Sequence, residues 1–170
     1  MTSALDEHED DPPWLLLAMK QLGCREIVKD SLNPVVRAFF EFTTFPPKLV
    51  NKKTAWCSAF ACTMLEKAGY RSPHSAAAKS FLVFGREIVK PRRGAILVFT
   101  RGAADAATGH VGFYVGETAE ELLVLGGNQG NCVSVQRYPK SRLMAVRWPV
   151  DKLKPPKAPK PPPPTGSPAA

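Results

Sequence analysis

Apolar residues recur with a helical period through the first half of the chain and with a strand period through the second. Residues 14–22, Trp14-Leu15-Leu16-Leu17-Ala18-Met19-Lys20-Gln21-Leu22, lie between Asp10-Asp11-Pro12-Pro13 and Gly23. An acidic, proline-led start and a glycine stop predict a first, largely buried helix. Asn33-Pro34 has the form of an N-cap and first helical position, and the apolar run 35–42 that follows predicts a second helix. Residues 43–55, with Pro46-Pro47, Lys48, Lys52 and Lys53, predict a loop. A third helix is expected over 55–68, with Thr54 as cap and Gly69 beyond its end, because Cys57, Ala61, Leu65 and Ala68 repeat along one face. A fourth, over 75–84, is expected to be capped by His74 and stopped by Gly85.

From Gly94 onward short runs with strand character, 95–99, 111–115, 122–125, 132–138 and 143–148, are separated by turns rich in Gly, Asn and Pro. Helices first and strands afterwards is the α+β pattern, here N-terminal helices packed on an antiparallel sheet of about five strands. Three regions follow: a disordered acidic segment 1–11, one globular domain 12–150, and a Lys/Pro-rich tail 151–170. That tail holds eight prolines and four lysines with almost nothing to bury, so disorder or polyproline helix is expected. Its Lys-Pro-Pro and four-proline runs would suit an aromatic groove on a partner.

The formal charge is +8, yet residues 1–11 hold five acids and no Lys or Arg, so the remainder carries +13. A basic surface suggests a polyanionic partner. The basic residues are scattered and no nucleic-acid-binding motif accompanies them, so nucleic acid is not expected as that partner. Residues 1–11 lack the charged and apolar regions of a signal peptide, and no apolar run approaches a membrane span. Synthesis in the cytoplasm without membrane insertion is therefore expected. The four cysteines, 24, 57, 62 and 132, are expected as reduced thiols; there is no C-x-x-C and no clustering of His, so no structural zinc is expected, and thiol chemistry would require neither a metal nor an organic cofactor.

Reactive chemistry concentrates in two segments. Trp56-Cys57-Ser58 opens the third predicted helix, where unsatisfied N–H groups and the helix dipole favour a thiolate. Gly109-His110-Val111-Gly112 opens a predicted strand on which His110, Gly112 and Tyr114 share one face. Of the other histidines, His8 falls in the acidic segment and His74 in a turn, leaving His110 as the base. Asn128, in Gly126-Gly127-Asn128-Gln129, is the candidate to orient the imidazole; Gln129 could fill that role or stabilise an oxyanion. Trp56 is a core residue or a cleft wall. Surface charge and an N-cap explain Glu26 and Asn33 as well as a place lining the cleft would, and Asp105 reads as an ordinary loop residue.

In order and spacing, Trp56-Cys57-Ser58-Ala59-Phe60, Ala68-Gly69-Tyr70, Ser75-Ala76-Ala77-Ala78, Gly109-His110-Val111-Gly112-Phe113, Leu125-Gly126-Gly127-Asn128-Gln129 and Arg147-Trp148-Pro149 resemble the papain-like cell-wall hydrolases of the NlpC and CHAP type. The resemblance spans about residues 14–149. It implies a papain-like fold and a cysteine peptidoglycan endopeptidase or amidase, with Cys57 as nucleophile, His110 as base and Asn128 as orienting residue. It also implies a monomer acting on the cell wall after lysis or specialised export, as a phage-type lysin or antibacterial effector with a delivery partner or immunity protein. The chain departs from its relatives at Lys52-Lys53-Thr54, where they often carry acids, and at Gly94-Ala95, where they often have Gly-Asp. The alternative is a non-catalytic wall-binding or scaffold module on the same fold.

Overall fold

The computed structural model describes residues 6–103 and 107–153. Helix α1 (Pro13–Met19) is followed by the two-residue strands β1 (Ile27–Val28) and β2 (Ser31–Leu32), then α2 (Pro34–Ala38) and α3 (Cys57–Lys67). Strands β3 (Arg86–Glu87), β4 (Ile96–Thr100), β5 (Gly109–Glu117), β6 (Glu121–Gly126), β7 (Ser134–Pro139) and β8 (Leu143–Trp148) complete the fold. The class is α+β, and the main sheet is antiparallel throughout with six strands in the order β3-β8-β4-β5-β6-β7. β4 to β7 form a meander. β8 then crosses back to the far side of β4, and Arg86–Glu87 adds the unanticipated sixth strand on β8.

Several helical expectations shorten in the structure. The first helix ends at Met19 and yields to turns before Gly23, whose φ of +84° requires a residue without Cβ. The second is one turn of α-helix, started by Asn33 accepting from the Val35 N–H, and continues as a 3-10 turn over Phe39–Phe42. Thr54 does not cap α3: its hydroxyl accepts from the Asn51 N–H, and Trp56 holds the cap position. The fourth helix is a 3-10 segment, Ala78–Val83, and residues 75–77 precede it without helix. His74 does not cap it, having instead φ of +53° and its Nε2 3.2 Å from the Glu66 carboxylate.

The principal core lies between α1, α3, the 3-10 segments and one face of the sheet, with Trp14, Leu15, Phe40, Trp56, Phe60, Phe81, Ile96 and Phe113 buried. Within β5, Val111, Phe113 and Val115 belong to this core, while Tyr114 joins a smaller cluster with Leu97, Phe99, Leu122 and Val124 on the other face. Gly112 has no room for a side chain, since a Cβ there would stand 2.5 Å from Val124 Cγ1. β5 and β6 can therefore close tightly just beyond His110.

Both expected domain borders move outward. Asp11 is buried and its carboxylate receives two hydrogen bonds from Arg93, at 2.7 and 3.0 Å, so the acidic segment is part of the fold from at least this residue. At the other end Lys152 bridges Tyr70, Arg71 N–H donates to Asp151 O, and Leu153 N–H donates to Gly69 O. The rest of the proline-rich tail and Asp105 lie outside the described residues. Among the described residues no helix is long and apolar enough to cross a membrane, and no cluster of three His, Cys, Asp or Glu residues is placed to hold a metal.

Burial alone would raise the Asp11 pKa, but the Arg93 guanidinium and the His8 N–H reverse this and hold it below the usual aspartate value. The pair's stabilisation is thus complete above the unfolded value and is lost as pH falls through the lower folded one. Asp11→Asn is expected to cost about 2 kcal/mol at pH 7 and progressively less below about pH 4. Chemical denaturation of both proteins at pH 7 and at pH 3 checks it; an equal penalty at both values would contradict the assignment.

Candidate active site

α3 begins at Cys57 itself, so the N–H groups of its first turn are not engaged in the helix ladder. Phe60 N–H, bonded to Trp56 O, is the first within it. The thiol is reached by the backbone N–H groups of Cys57, Ser58 and Val111. Val111 is the neighbour of His110 on β5, so the helix start and the strand start meet at the sulfur. Ser58 ties the same region to the segment before the third 3-10 turn by donating to Ser75 O at 2.6 Å. Trp56 is fully buried, stacked at 6.0 Å on Phe39. It is a core residue that backs the site.

The imidazole of His110 is also fully buried, and its Nε2 is 2.9 Å from Gln129 Oε1. The Gln129 amide nitrogen donates to Val124 O at 3.2 Å and to Ser134 O at 2.7 Å. With both neighbours of the nitrogen being carbonyls, the amide can present only its oxygen to the ring. An oxygen cannot donate, so Nε2 must carry the proton and Nδ1 the lone pair. Nδ1 has no hydrogen-bond partner among the described residues. A free, correctly protonated acceptor is what a thiol nucleophile requires of its base.

Asn128, the residue expected to orient the ring, does not bond to it. After β6 the backbone of Gly127 packs against Trp56 and Phe60 so closely that a Cβ would stand 2.7 to 2.8 Å from their atoms. The chain then turns through a left-handed Asn128, φ +59°, which directs this residue to a neighbouring polar cavity and brings Gln129 back under His110. Asparagine tolerates this conformation better than most residues. The Gly-Gly-Asn run marks the turn in the sequence but not which of the two amides faces the ring.

Two further residues shape the site without having been anticipated. The Tyr138 ring stacks on His110 at 5.0 Å and 12°, and on Phe99 at 4.8 Å, fixing the imidazole plane. Burial, with the nearby Cys57 thiol adding to it, pushes the Tyr138 phenol up to about 12. Arg142 donates to Thr100 O and lies 5.8 Å from the Tyr138 ring centre. The second is Arg101, an exposed cation near both Cys57 and His110.

The electrostatics differ from the expectation of a stabilised thiolate. Burial raises the Cys57 pKa above its ordinary value; the N–H groups and Arg101 oppose this but do not overcome it. Burial likewise lowers His110 to about 4, with Arg101 and Arg142 adding to the effect against the opposing Gln129 bond. The resting pair is therefore neutral thiol and neutral imidazole. A cavity of about 170 Å³ leads to the sulfur, walled by Cys57, Ala76, Ala77, Ala78, Thr108 and Gly109.

No protein-family model matches the chain, and no curated protein matches it.

Nitrogen-detected NMR should show His110 as the Nε2–H tautomer and neutral down to about pH 5, because its pKa is lowered to about 4. Titration near 6.5 would overturn the assignment. Gly126→Ala should disturb that signature, since its Cβ would stand 2.8 Å from Gln129 Oε1 and 3.3 Å from His110 Nε2.

Proposed function

We propose that the protein is a papain-like cysteine hydrolase that cuts an amide bond of peptidoglycan, with Cys57 as nucleophile, His110 as base and Gln129 as the residue that fixes the base. The observation that carries this reading is the free Nδ1 of a tautomerically locked His110 at the strand start where the Cys57 thiol meets the Val111 N–H. The motif resemblance to NlpC- and CHAP-type enzymes supplies the substrate class, and the basic composition suits an anionic wall. The small side chains of Ala76, Ala77, Ala78 and Gly109 around the thiol favour a substrate with little bulk beside the scissile bond.

On this reading Cys57 Sγ attacks the amide carbonyl as its proton passes to His110 Nδ1. The carbonyl π pair moves to oxygen, and the oxyanion is held by the N–H groups at the start of α3. The tetrahedral species collapses with cleavage of the C–N bond, and the proton on Nδ1 goes to the leaving amine. Water then attacks the thioester carbonyl as its proton passes to His110 Nδ1; the second tetrahedral species collapses with cleavage of the C–S bond, the departing sulfur takes the proton back from Nδ1, and a carboxylic acid is released. Gln129 Oε1 accepts the Nε2–H bond throughout, which strengthens while the ring carries charge. Starting from neutral partners suits a closed site, since charge forms only as the reaction needs it.

Delivery as a phage-type lysin or an exported effector, with a partner or immunity protein, follows from the same resemblance.

Release of soluble fragments from purified cell walls tests the proposal. Cys57→Ala is expected to reduce release to background, and Gln129→Ala to lower it by about 10² to 10⁴-fold. Asn128→Ala is expected to retain activity within about tenfold, about 1.4 kcal/mol in barrier. Equal release by wild type and Cys57→Ala, or none by either, would exclude the enzyme and favour a wall-binding module.

A further inference from the structure

The thiol cavity is walled by Cys57 on α3 and by Ala76, Ala77 and Ala78 on a segment that has neither helix nor strand before Ala78. α3 holds that segment at two points. At its start the buried Ser58 hydroxyl donates to Ser75 O at 2.6 Å, with Ala77 O 3.3 Å away. In its last turn Glu66 Oε1 accepts from the Ser72 N–H at 2.7 Å and lies 3.2 Å from His74 Nε2. The helix that carries the nucleophile therefore also holds the wall beside it.

The second hold depends on charge. The Glu66 side chain is only 6% exposed and stands in the last turn of a helix, where the dipole disfavours a carboxylate. Among the described residues no cation other than His74 lies within 4 Å of it, and Lys67 and Arg71, its neighbours along the chain, are exposed. His74 meanwhile has φ of +53°, a left-handed backbone that is strained for a residue with a Cβ. Bridge and strain thus oppose each other at one residue. With a proton on both ring nitrogens His74 gives Glu66 an ion pair and a charge-assisted hydrogen bond; with one, it gives at most a neutral donor, and the strain is unchanged. The other ionisable group that reaches this segment is Cys62 of α3, with Sγ 3.7 Å from Ser75 O, while Thr44 meets it through a backbone N–H, 2.9 Å from His74 O.

We propose that Glu66 and His74 form a proton-dependent latch that positions the alanine wall of the thiol cavity and so sets how bulky a group can reach Cys57. Protonation closes the latch. Loss of the proton lets residues 72–74 relax and the wall give at Ala76 and Ala77, while Ser58 keeps it attached to α3. His74 and Glu66 are positioning residues, since neither lines the cavity. The inference rests on the proposed hydrolase reading only in taking the Cys57 thiol as the reacting atom. On that reading, tolerance for bulk beside the scissile bond rises with pH.

The test reads access to the thiol and needs no wall substrate. N-ethylmaleimide and N-phenylmaleimide add to a thiolate by the same step and differ in bulk, so the ratio of their rates at Cys57 cancels the thiolate fraction. Peptide mapping separates Cys57 from Cys24, Cys62 and Cys132. In the full-length wild type the phenyl-to-ethyl ratio should rise about two- to fivefold between about pH 5.5 and about pH 8, the range in which an imidazole switches charge. His74→Gly, which accepts the left-handed backbone without an imidazole, should show the higher ratio at both values. Glu66→Gln, which keeps an acceptor for the Ser72 N–H but no charge, should do the same, and either variant alone decides the matter if the other does not fold. A wild-type ratio that does not change with pH overturns the inference, as does a wild-type pH dependence retained in the variants, or no labelling of Cys57 by either reagent. Cleavage of cell walls is scored separately. A pH-dependent ratio lost in His74→Gly, with no Cys57-dependent cleavage, would leave the latch and sink the hydrolase; Cys57-dependent cleavage with a pH-independent ratio would do the reverse.

Discussion

The side-chain amide of Gln129 is the joint on which the site depends. Its nitrogen is committed to two backbone carbonyls, Val124 O on β6 and Ser134 O on β7, so its orientation is set by sheet pairing. Its oxygen then dictates which nitrogen of His110 holds the proton. Tyr138 fixes the plane of the ring, and Gly112 and Gly126 give it space by bringing β5 and β6 close together. A local choice of hydrogen-bond partners thus becomes a chemical property of a residue on the neighbouring strand. Buried polar groups cost free energy when unpaired, and among the described residues two buried ring nitrogens bear that cost, His110 Nδ1 and Trp56 Nε1.

Two opposing effects act on the thiol, and burial prevails. A helix start stabilises a thiolate, but that advantage is of the order of 1 kcal/mol, whereas complete desolvation of an isolated charge costs more. Cys57 therefore sits above its ordinary pKa and His110 below its own. The consequence is a thiol and an imidazole that hold no charge at rest. Arg101 bridges this economy to the adjacent polar cavity, since it faces both.

Features set by short-range pattern could be read from the chain. Cys57 at a helix start and the split of β5 into a Val111, Phe113, Val115 face and a His110, Tyr114 face both follow from local periods. Features set by contacts distant in sequence could not. The two-residue strand Arg86–Glu87 has too little pattern to register and exists because it pairs with β8. The segment over 75–84 has helical composition, yet tethering of Ser75 O to Ser58 holds its start out of the helix. Choosing Gln129 over Asn128 required knowing that the turn packs on Trp56 and that position 128 is left-handed. The burial of Glu26 was not legible either, since this residue is held by a backbone bond to Asn131, more than a hundred positions away.

The central claim is that Cys57 becomes acylated through the base that Gln129 holds in place. The most direct measurement is intact-mass analysis of protein mixed with a soluble wall peptide and quenched in acid within the first turnover, followed by mapping of the modified residue. The account predicts a thioester adduct of the acyl fragment on Cys57 in the wild type and none in His110→Ala. An adduct on Cys24, Cys62 or Cys132 instead, or one that forms on Cys57 as fast without His110, would contradict it.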